Sequence, residues 1–192
     1  MIALIDYGAG NIRSVQNALT RLGIESKLTH DPDELRAADK VIFPGVGEAS
    51  FAMNQLREQQ LDSLIPTLTQ PVLGICLGMQ LLCNSSEEGS TQALGIFNTA
   101  VKEFQPILNV PHTGWNSCSI KPSSLFNGIS STDDFYFVHS YYAEICDDTL
   151  ATCDYIQPFS AALKKDNFFG VQFHPEKSAG IGSKLIQNFL EL

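Results

Sequence analysis

Residues 71–80 read Pro-Val-Leu-Gly-Ile-Cys-Leu-Gly-Met-Gln, and the rest of the chain is organised around this run. Its apolar first half predicts a buried strand, and a helical pattern begins just after Cys76. Gly74 and Gly78 stand two residues before and after the cysteine, which is the G-x-S-x-G spacing of a nucleophile elbow with Cys in place of Ser. The elbow puts Cys76 at a helix N-terminus, where the helix dipole favours a thiolate. The run therefore predicts a nucleophilic cysteine.

Upstream of this run, predicted strands alternate with predicted helices, the first strand covering 2–6 and the third 41–43. This alternation predicts right-handed βαβ units and a parallel sheet. Working groups in such sheets gather at the carboxyl ends of the strands. Gly8-Ala9-Gly10, Pro44-Gly45-Val46-Gly47 and Cys76 all follow predicted strands, so we expect them at one edge of the sheet.

The first glycine pair, Gly8 and Gly10, has two interpretations. One is a dinucleotide-binding loop, but Arg13 occupies the position of the third glycine that this motif requires. The other is a tight strand-to-helix turn, which we favour. The second loop, 44–47, ends a strand and offers backbone N–H groups that can bind an anion or an oxyanion.

Downstream of residue 90 the pattern changes to short strands separated by turn signals. We expect this half to be mostly antiparallel and to extend the edge of the parallel sheet, and a final helix to cover 182–192. The predicted fold class is α/β, with three α/β/α layers around a mostly parallel sheet that carries antiparallel C-terminal strands. No linker or repeat interrupts the chain, so we expect one domain over residues 1–192. The six predicted strands of this half are 96–104, 115–120, 135–138, 150–155, 159–163 and 168–173.

Composition excludes several classes of function. The formal net charge of −9 argues against general nucleic-acid binding, which needs clustered Lys and Arg. The 5 cysteines are an odd number without a C-x-x-C pair, so we expect neither a disulfide framework nor structural zinc, and a reducing cytoplasm is the natural location. No apolar run approaches the ~18 residues of a membrane span. We expect no metal and no cofactor.

A nucleophilic cysteine needs a base, and the base needs a group that orients it. Pro175 favours an extended backbone at His174, which directs His174 and Glu176 to the same side. The alternative is an ordinary strand end followed by a solvated glutamate. His139, at the end of a strand, and His112, in what reads as a surface loop between Pro111 and Thr113-Gly114, are rival bases. A Cys76–His174 pair would perform acyl transfer through a thioester.

These motifs resemble those of the class I, triad-type glutamine amidotransferases. The resemblance rests first on residues 74–80 and on His174-Pro175-Glu176. Four further stretches are similar to the glutaminase subunits of imidazole glycerol phosphate synthases, in histidine biosynthesis. They are 5–11, 44–47, His112-Thr113-Gly114-Trp115-Asn116 and Phe137-Val138-His139-Ser140-Tyr141.

The resemblance implies a flavodoxin-like amidotransferase fold and a glutaminase that passes ammonia to a cyclase subunit, a (βα)8 barrel, in a heterodimer. It makes Cys76 the nucleophile, His174 the acid and base, and Glu176 the orienting carboxylate. It further implies three groups of binding residues. They are oxyanion donors at Val46 or Gly47 and at Leu77, glutamine ligands at Gln80, Glu88 (chosen over Glu87), Ser140 and Tyr141, and a cyclase interface at Asn11, Trp115, Tyr136 and Lys177.

Two departures from this branch are visible, at Thr113 and at Glu48-Ala49-Ser50 after the glycine loop. Both lie outside the triad and concern interface packing. Two alternatives stay open: a glutaminase that serves another acceptor, and a non-catalytic regulatory subunit of the same fold. The intact Cys76, His174 and Glu176 argue against the second, and the Trp115-Asn116 motif argues against the first.

Overall fold

The computed structural model describes residues 1–8 and 12–192. Asn11 and most of the predicted Gly8-Ala9-Gly10 turn lie outside the described residues. The helices are α1 Ile12–Arg21, α2 Pro32–Ala37, α3 Ala49–Glu58, α4 Leu61–Leu64, α5 Leu77–Leu81 and α6 Ala179–Leu190. The strands are β1 Ile2–Ile5, β2 Ser26–Thr29, β3 Lys40–Gly45, β4 Val72–Cys76, β5 Cys83–Ser86, β6 Thr91–Gln92, β7 Phe97–Glu103, β8 His112–Ser117, β9 Ser119–Ile120, β10 Asp134–His139, β11 Tyr141–Ala143, β12 Thr149–Tyr155, β13 Gln157–Lys165 and β14 Phe168–Val171.

One large mixed sheet runs through the molecule in the order β2-β1-β3-β4-β14-β13-β11-β7-β5-β6. Strands β2, β1, β3, β4 and β14 are parallel neighbours, and β13 continues the sheet antiparallel to β14. The predicted α/β class, with a parallel half extended by antiparallel C-terminal strands, is confirmed. A separate antiparallel pair, β8 and β10, carries Trp115 opposite Tyr136.

Helices cover both faces of the sheet because the buried strands are apolar on both sides. In β1, Ile2 and Leu4 face the apolar sides of α1 and α6, while Ala3 and Ile5 face those of α2 and α3. Alternate strand residues point to opposite faces, so one short strand contributes to both cores. The three-layer arrangement follows directly.

The helix after Cys76 is shorter than its apolar pattern predicts. It ends at Leu81, and Cys83 begins strand β5, which pairs in parallel with β7. Sequence reasoning missed β5, β6 and β11. All three are short strands, and none carries the apolar alternation that identifies a longer one.

Candidate active site

The predicted strand-to-helix turn at Cys76 is confirmed. Cys76 is the last residue of β4, and its φ of 54° and ψ of −111° lie outside the usual regions for a residue with a side chain. Gly78 is required by close packing, because a Cβ there would stand 1.9 Å from the Phe43 carbonyl oxygen. A Cβ at Gly74 would stand 2.8 Å from the backbone nitrogen of Met79. The two glycines thus let the turn pack against β3 and α5.

His174 and Glu176 form a buried pair beside this turn. The Nδ1 atom of His174 lies 2.8 Å from Oε1 of Glu176, and both side chains are only 2% exposed. His174 has extended backbone dihedrals, as Pro175 predicts, and Glu176 lies in the short 3-10 turn that follows. The His174 backbone is held by N–H donation to the Tyr136 carbonyl and by the Ser178 hydroxyl, which donates to the His174 carbonyl.

The electrostatic environment favours a protonated His174. Burial alone would lower its pKa, but the interactions with the Cys76 side chain and the Glu176 carboxylate outweigh burial and raise the pKa from 6.5 to about 10. The Nε2 atom is buried and makes no regular hydrogen bond within the described residues, so it is left to interact with the sulfur of Cys76. The arrangement therefore suits an imidazolium beside a thiolate.

The glycine loop approaches Cys76 from strand β3. Gly45 pairs with Cys76 in the parallel ladder, and a Cβ on Gly45 would stand 2.6 Å from the Tyr7 hydroxyl oxygen. That buried hydroxyl donates to the Pro44 carbonyl over 3.1 Å and so fixes the start of the loop. Burial, with a smaller contribution from Cys76, raises the pKa of Tyr7. At the other end of the loop, Gly47 has a φ of +102°, which a residue with a side chain rarely adopts.

A cavity of about 330 Å³ opens in front of Cys76. It joins the elbow, the glycine loop and the end of β10, so the predicted oxyanion donors and glutamine ligands share one space with Cys76 and His174. The cavity-lining residues are Val46, Gly47, Cys76, Leu77, Gln80, Glu88, Pro111, Val138, His139, Ser140, Tyr141, His174 and Lys177.

The two adjacent glutamates have different surroundings. Glu88 lines the cavity, and its carboxylate accepts a hydrogen bond of 2.8 Å from the Ala49 backbone N–H. Burial raises the pKa of Glu88, against the lowering effect of that bond. Glu87 instead accepts from the Glu103 backbone N–H and pairs with Lys102, and these bonds lower its pKa. The geometry therefore favours Glu88 as the residue that meets a ligand.

Three of the predicted interface residues form a cluster that reaches the cavity through Lys177, and we call this cluster the rim. Asn11, the fourth, lies outside the described residues. Trp115 is 53% exposed and packs edge-on against Tyr136, with ring centroids 5.9 Å apart. The Lys177 ammonium lies 6.0 Å from the centroid of the Tyr136 ring, and Lys177 also lines the cavity. This cluster connects the outer surface to the site.

The prediction that His112 lies in a surface loop is wrong. His112 is buried at the start of β8, where its ring stacks on Tyr155 at 4.0 Å and on Phe137 at 4.9 Å between centroids. Its Nδ1 atom lies 3.0 Å from Nε2 of His139. The preceding Pro111 and the following Thr113-Gly114 suggest a loop. Stacking on distant aromatic rings buries His112 instead, and neighbouring turn residues give no sign of that contact.

His139 lines the cavity, but its Nδ1 atom is bonded to the Tyr141 carbonyl at 2.8 Å. Burial lowers the pKa of His139 to about 3 and that of His112 to about 4. Both imidazoles are therefore neutral at pH 7, and among the described residues neither has a carboxylate partner like that of His174. The structure thus distinguishes His174 from the two rival bases that the sequence left open.

Sequence reasoning also missed Gln172. This fully buried residue donates from Nε2 to the Cys76 sulfur over 3.7 Å and accepts at Oε1 from Gln80 over 2.8 Å. Its only signal in the sequence is a polar residue within the apolar strand end 170–173. Within the part of the chain that the structure describes, no cluster of three or more His, Cys, Asp or Glu side chains could hold a metal ion, and no helix is long and apolar enough to cross a membrane.

Comparison with known proteins identifies the family. The family model for "Glutamine amidotransferase class-I" matches residues 3–192. The chain belongs to the class-I glutamine amidotransferases. An imidazole glycerol phosphate synthase subunit HisH from Bacteroides fragilis is 57% identical, covering 100% of this chain and 99% of that protein. The subunit of the same name from Escherichia coli K12 is 48% identical over the same shares.

Solved structures of the family share the fold at much lower identity. A crystal structure of a glutamine amidotransferase superposes with a TM-score of 0.75 at 19% identity, covering 100% of this chain and 98% of the other. The PurLQS structure from Thermotoga maritima gives 0.74 at 17%, covering 99% and 97%. The predicted flavodoxin-like amidotransferase fold agrees with the parallel strand order β2-β1-β3-β4-β14.

Proposed function

We propose that this chain is the glutaminase subunit of an imidazole glycerol phosphate synthase and hydrolyses glutamine to glutamate and ammonia. One observation carries the proposal: Cys76 and His174, with Glu176 bonded behind His174, face a single cavity in a chain of this family. The 48–57% identity to subunits of that name over the full length supports the choice of enzyme within the family. The proposal includes a single amidotransferase domain over residues 1–192 and a cytoplasmic location.

The first half of the reaction forms a thioester. The Cys76 thiolate attacks the side-chain carbonyl carbon of glutamine, and the carbonyl oxygen takes up the negative charge. Leu77, Val46 and Gly47 line the same cavity, and the backbone N–H groups of Leu77 and of Val46 or Gly47 are the proposed oxyanion donors. His174 then gives its proton to the departing nitrogen, which leaves as ammonia.

The second half regenerates the enzyme. Neutral His174 takes a proton from water, whose oxygen attacks the thioester carbon, and the tetrahedral species collapses to glutamate and the Cys76 thiolate. Glu176 keeps the proton of His174 on Nδ1, so that Nε2 faces the reacting atoms, and it stabilises the imidazolium. Gln80, Glu88, Ser140 and Tyr141 are the proposed ligands of the glutamine α-amino, α-carboxylate and amide groups, and all four line the cavity.

We propose that the partner is a cyclase subunit, a (βα)8 barrel, which receives the ammonia and makes imidazole glycerol phosphate and aminoimidazole carboxamide ribotide. The rim formed by Trp115, Tyr136 and Lys177, together with Asn11, is the proposed contact surface. An exposed tryptophan that packs against a neighbouring tyrosine is a composition that protein interfaces favour. No resident cofactor is part of the proposal.

The direct test replaces Cys76 by Ala in the complex with a cyclase subunit. Glutamine-dependent product formation should fall to background, while synthesis from added ammonium salt continues, because the cyclase does not need the thiolate when ammonia is supplied. The half-buried Cys146 lies outside the cavity, so Cys146→Ala is the matched control and should keep both activities. Surviving glutamine-dependent synthesis in Cys76→Ala would refute the nucleophile assignment.

A further inference from the structure

A short chain of hydrogen bonds leads from a backbone carbonyl to the sulfur of Cys76. The Tyr141 carbonyl accepts from Gln80 Nε2 over 2.9 Å, and the same amide nitrogen donates to Gln172 Oε1 over 2.8 Å. Gln172 Nε2 in turn lies 3.7 Å from Cys76 Sγ. Two glutamine side chains therefore connect the start of β11 to the nucleophile.

The Tyr141 backbone carbonyl determines which atom donates and which accepts in each of these hydrogen bonds. A carbonyl oxygen only accepts, so the atom of Gln80 that meets Tyr141 must be the amide nitrogen. That nitrogen has a second hydrogen, which points at Gln172, and the atom of Gln172 that receives it must be the oxygen. The remaining end of the Gln172 amide is then its NH2 group, and this group faces Cys76. If the Gln172 amide were reversed, its NH2 group would face the NH2 group of Gln80, and two donors would meet without an acceptor.

Sheet register explains why Gln172 meets Cys76. Strands β4 and β14 are parallel neighbours, and their ladder ends with Val171 opposite Ile75. Gln172 directly follows Val171, and Cys76 directly follows Ile75, so these two residues come next to each other beyond the end of the ladder. The Gln172 backbone is also held, because its N–H donates to the Ala161 carbonyl over 2.8 Å. The side chain is fully buried, where an unpartnered amide would be costly, so its orientation is firmly determined.

We propose that Gln172 is a positioning residue that directs an N–H donor at the Cys76 sulfur and stabilises the thiolate, with Gln80 setting its orientation. A hydrogen bond donated to the charged form of a group favours that form. The inference rests on the proposed role of Cys76 as nucleophile. The titratable groups that interact with Cys76 are His174, on the segment after β14, and Tyr7, after β1.

The same hydrogen bonds limit which atom of Gln80 can contact a ligand. Both N–H groups of its side chain are directed at protein acceptors, so the carbonyl oxygen is the atom left to meet a molecule in the cavity. A carbonyl oxygen accepts hydrogen bonds, which suits a substrate ammonium or carboxamide N–H group and not a carboxylate.

The test measures thiolate formation without glutamine or a partner. Alkylation of Cys76 by iodoacetamide is followed by peptide mass analysis from pH 5 to 9 in wild type, Gln172→Met and Gln172→Glu. Removing the donor in Gln172→Met should slow alkylation at pH 7 by roughly tenfold and move the pH profile upward, since a hydrogen bond to a charged group is lost. Gln172→Glu places a carboxylate beside the sulfur and should shift the profile in the same direction.

A matched control and a kinetic measurement separate positioning from general damage. Gln70 donates to the Leu35 carbonyl beside the opposite end of β4, so Gln70→Met should keep the wild-type alkylation profile. In the complex with a cyclase, Gln172→Glu should lower kcat while KM for glutamine changes little, because a glutamate keeps an oxygen that accepts from Gln80, a proposed glutamine ligand, and removes only the donor that faces Cys76. Should either Gln172 variant fail to fold, as judged by circular dichroism, the other supplies the measurement.

An unchanged alkylation profile in a folded Gln172 variant would overturn the inference. It would leave the proposed glutaminase function intact, because that function is tested separately by Cys76→Ala. If Cys76→Ala kept glutamine-dependent synthesis while Gln172→Met shifted the alkylation profile, the proposed function would be refuted. The role of Gln172 as a hydrogen-bond donor to Cys76 would still be supported.

Discussion

Two buried histidine sites stand side by side in this molecule and titrate in opposite directions. His174 is bonded to a buried carboxylate and faces a cysteine, and its pKa is raised to about 10. His112 and His139 are bonded to each other and to a backbone carbonyl, and their pKa values fall to about 4 and about 3. All three imidazoles are almost fully buried. The comparison shows that the partner of a buried histidine, and not its burial, determines its charge.

The two sites also differ in what they can do. A protonated His174 has a proton to give to a leaving group and can later act as a base, which the proposed acyl transfer needs. The neutral pair packs among Phe137, Tyr155 and Phe159, and within residues 1–8 and 12–192 no carboxylate is bonded to it that could stabilise an imidazolium. We therefore assign chemistry to the first site and structural support of β8 and β10 to the second. Three substitutions test this division.

The largest difference is expected in turnover. His174→Gln removes the proposed acid and base, so glutamine-dependent turnover in the complex should fall by roughly 10²- to 10⁴-fold. His112→Phe preserves the ring stacking and should keep most of the wild-type turnover. Steady-state assays of both variants, with ammonia-dependent synthesis measured in parallel, decide the matter. Equal losses in the two variants would break the distinction between the sites.

A smaller effect, on the pH dependence of kcat/KM, is expected when the Glu176 carboxylate is replaced. Glu176→Gln keeps an oxygen that accepts from Nδ1 of His174 but removes the negative charge. The pKa of His174 should fall from about 10 towards 6.5, by about 1 to 3 units. Because the imidazolium is then lost at a lower pH, the alkaline limb of the kcat/KM profile should move to lower pH. An unmoved limb would show that the charge of Glu176 does not set the titration of His174.

The smallest effect is expected in acid stability. Folded His112 has a lowered pKa, so in the pH range between about 4 and 6.5 the unfolded chain binds a proton that the folded chain does not. The stabilisation that neutral His112 contributes is complete above pH 6.5 and is lost as the pH falls through about 4. From pH 7 to pH 4, wild type should therefore lose about 2 to 3 kcal/mol more unfolding free energy than His112→Phe, because each pH unit between the two pKa values contributes about 1.4 kcal/mol. Urea titrations at several pH values measure this, and equal losses would contradict it.

Much of the site could be predicted from the sequence because the residues that form each of its parts are close together in the sequence. The Gly74–Gly78 spacing around Cys76 defines a sharp turn, and the i, i+2 relation of His174 and Glu176 puts both on one side of an extended backbone. The parallel half of the sheet follows from the alternation of strands and helices. In each of these cases the structure depends on neighbouring residues or on one regular pattern.

The remainder depends on which strands become neighbours. Gln172 meets Cys76 only because β14 lies beside β4 in one particular register, and a single sequence does not specify that pairing. His112 is buried by Tyr155, a partner 43 positions away on β12, whereas the adjacent Pro111 and the nearby Gly114 suggest a loop. The short strands β5, β6 and β11 were missed for the same reason, since they are held by pairing more than by their own pattern.

The most direct test of the distinction between the histidine sites is nuclear magnetic resonance of the chain labelled with ¹⁵N in its histidine rings, with the signals assigned by His174→Gln and His112→Phe. The account predicts that the ring nitrogens of His174 show the shifts of an imidazolium at pH 7 and still do so at pH 8.5. The nitrogens of His112 and His139 should show neutral rings down to pH 5. A neutral His174 at pH 7, or a charged His139 at pH 5.5, would contradict the account.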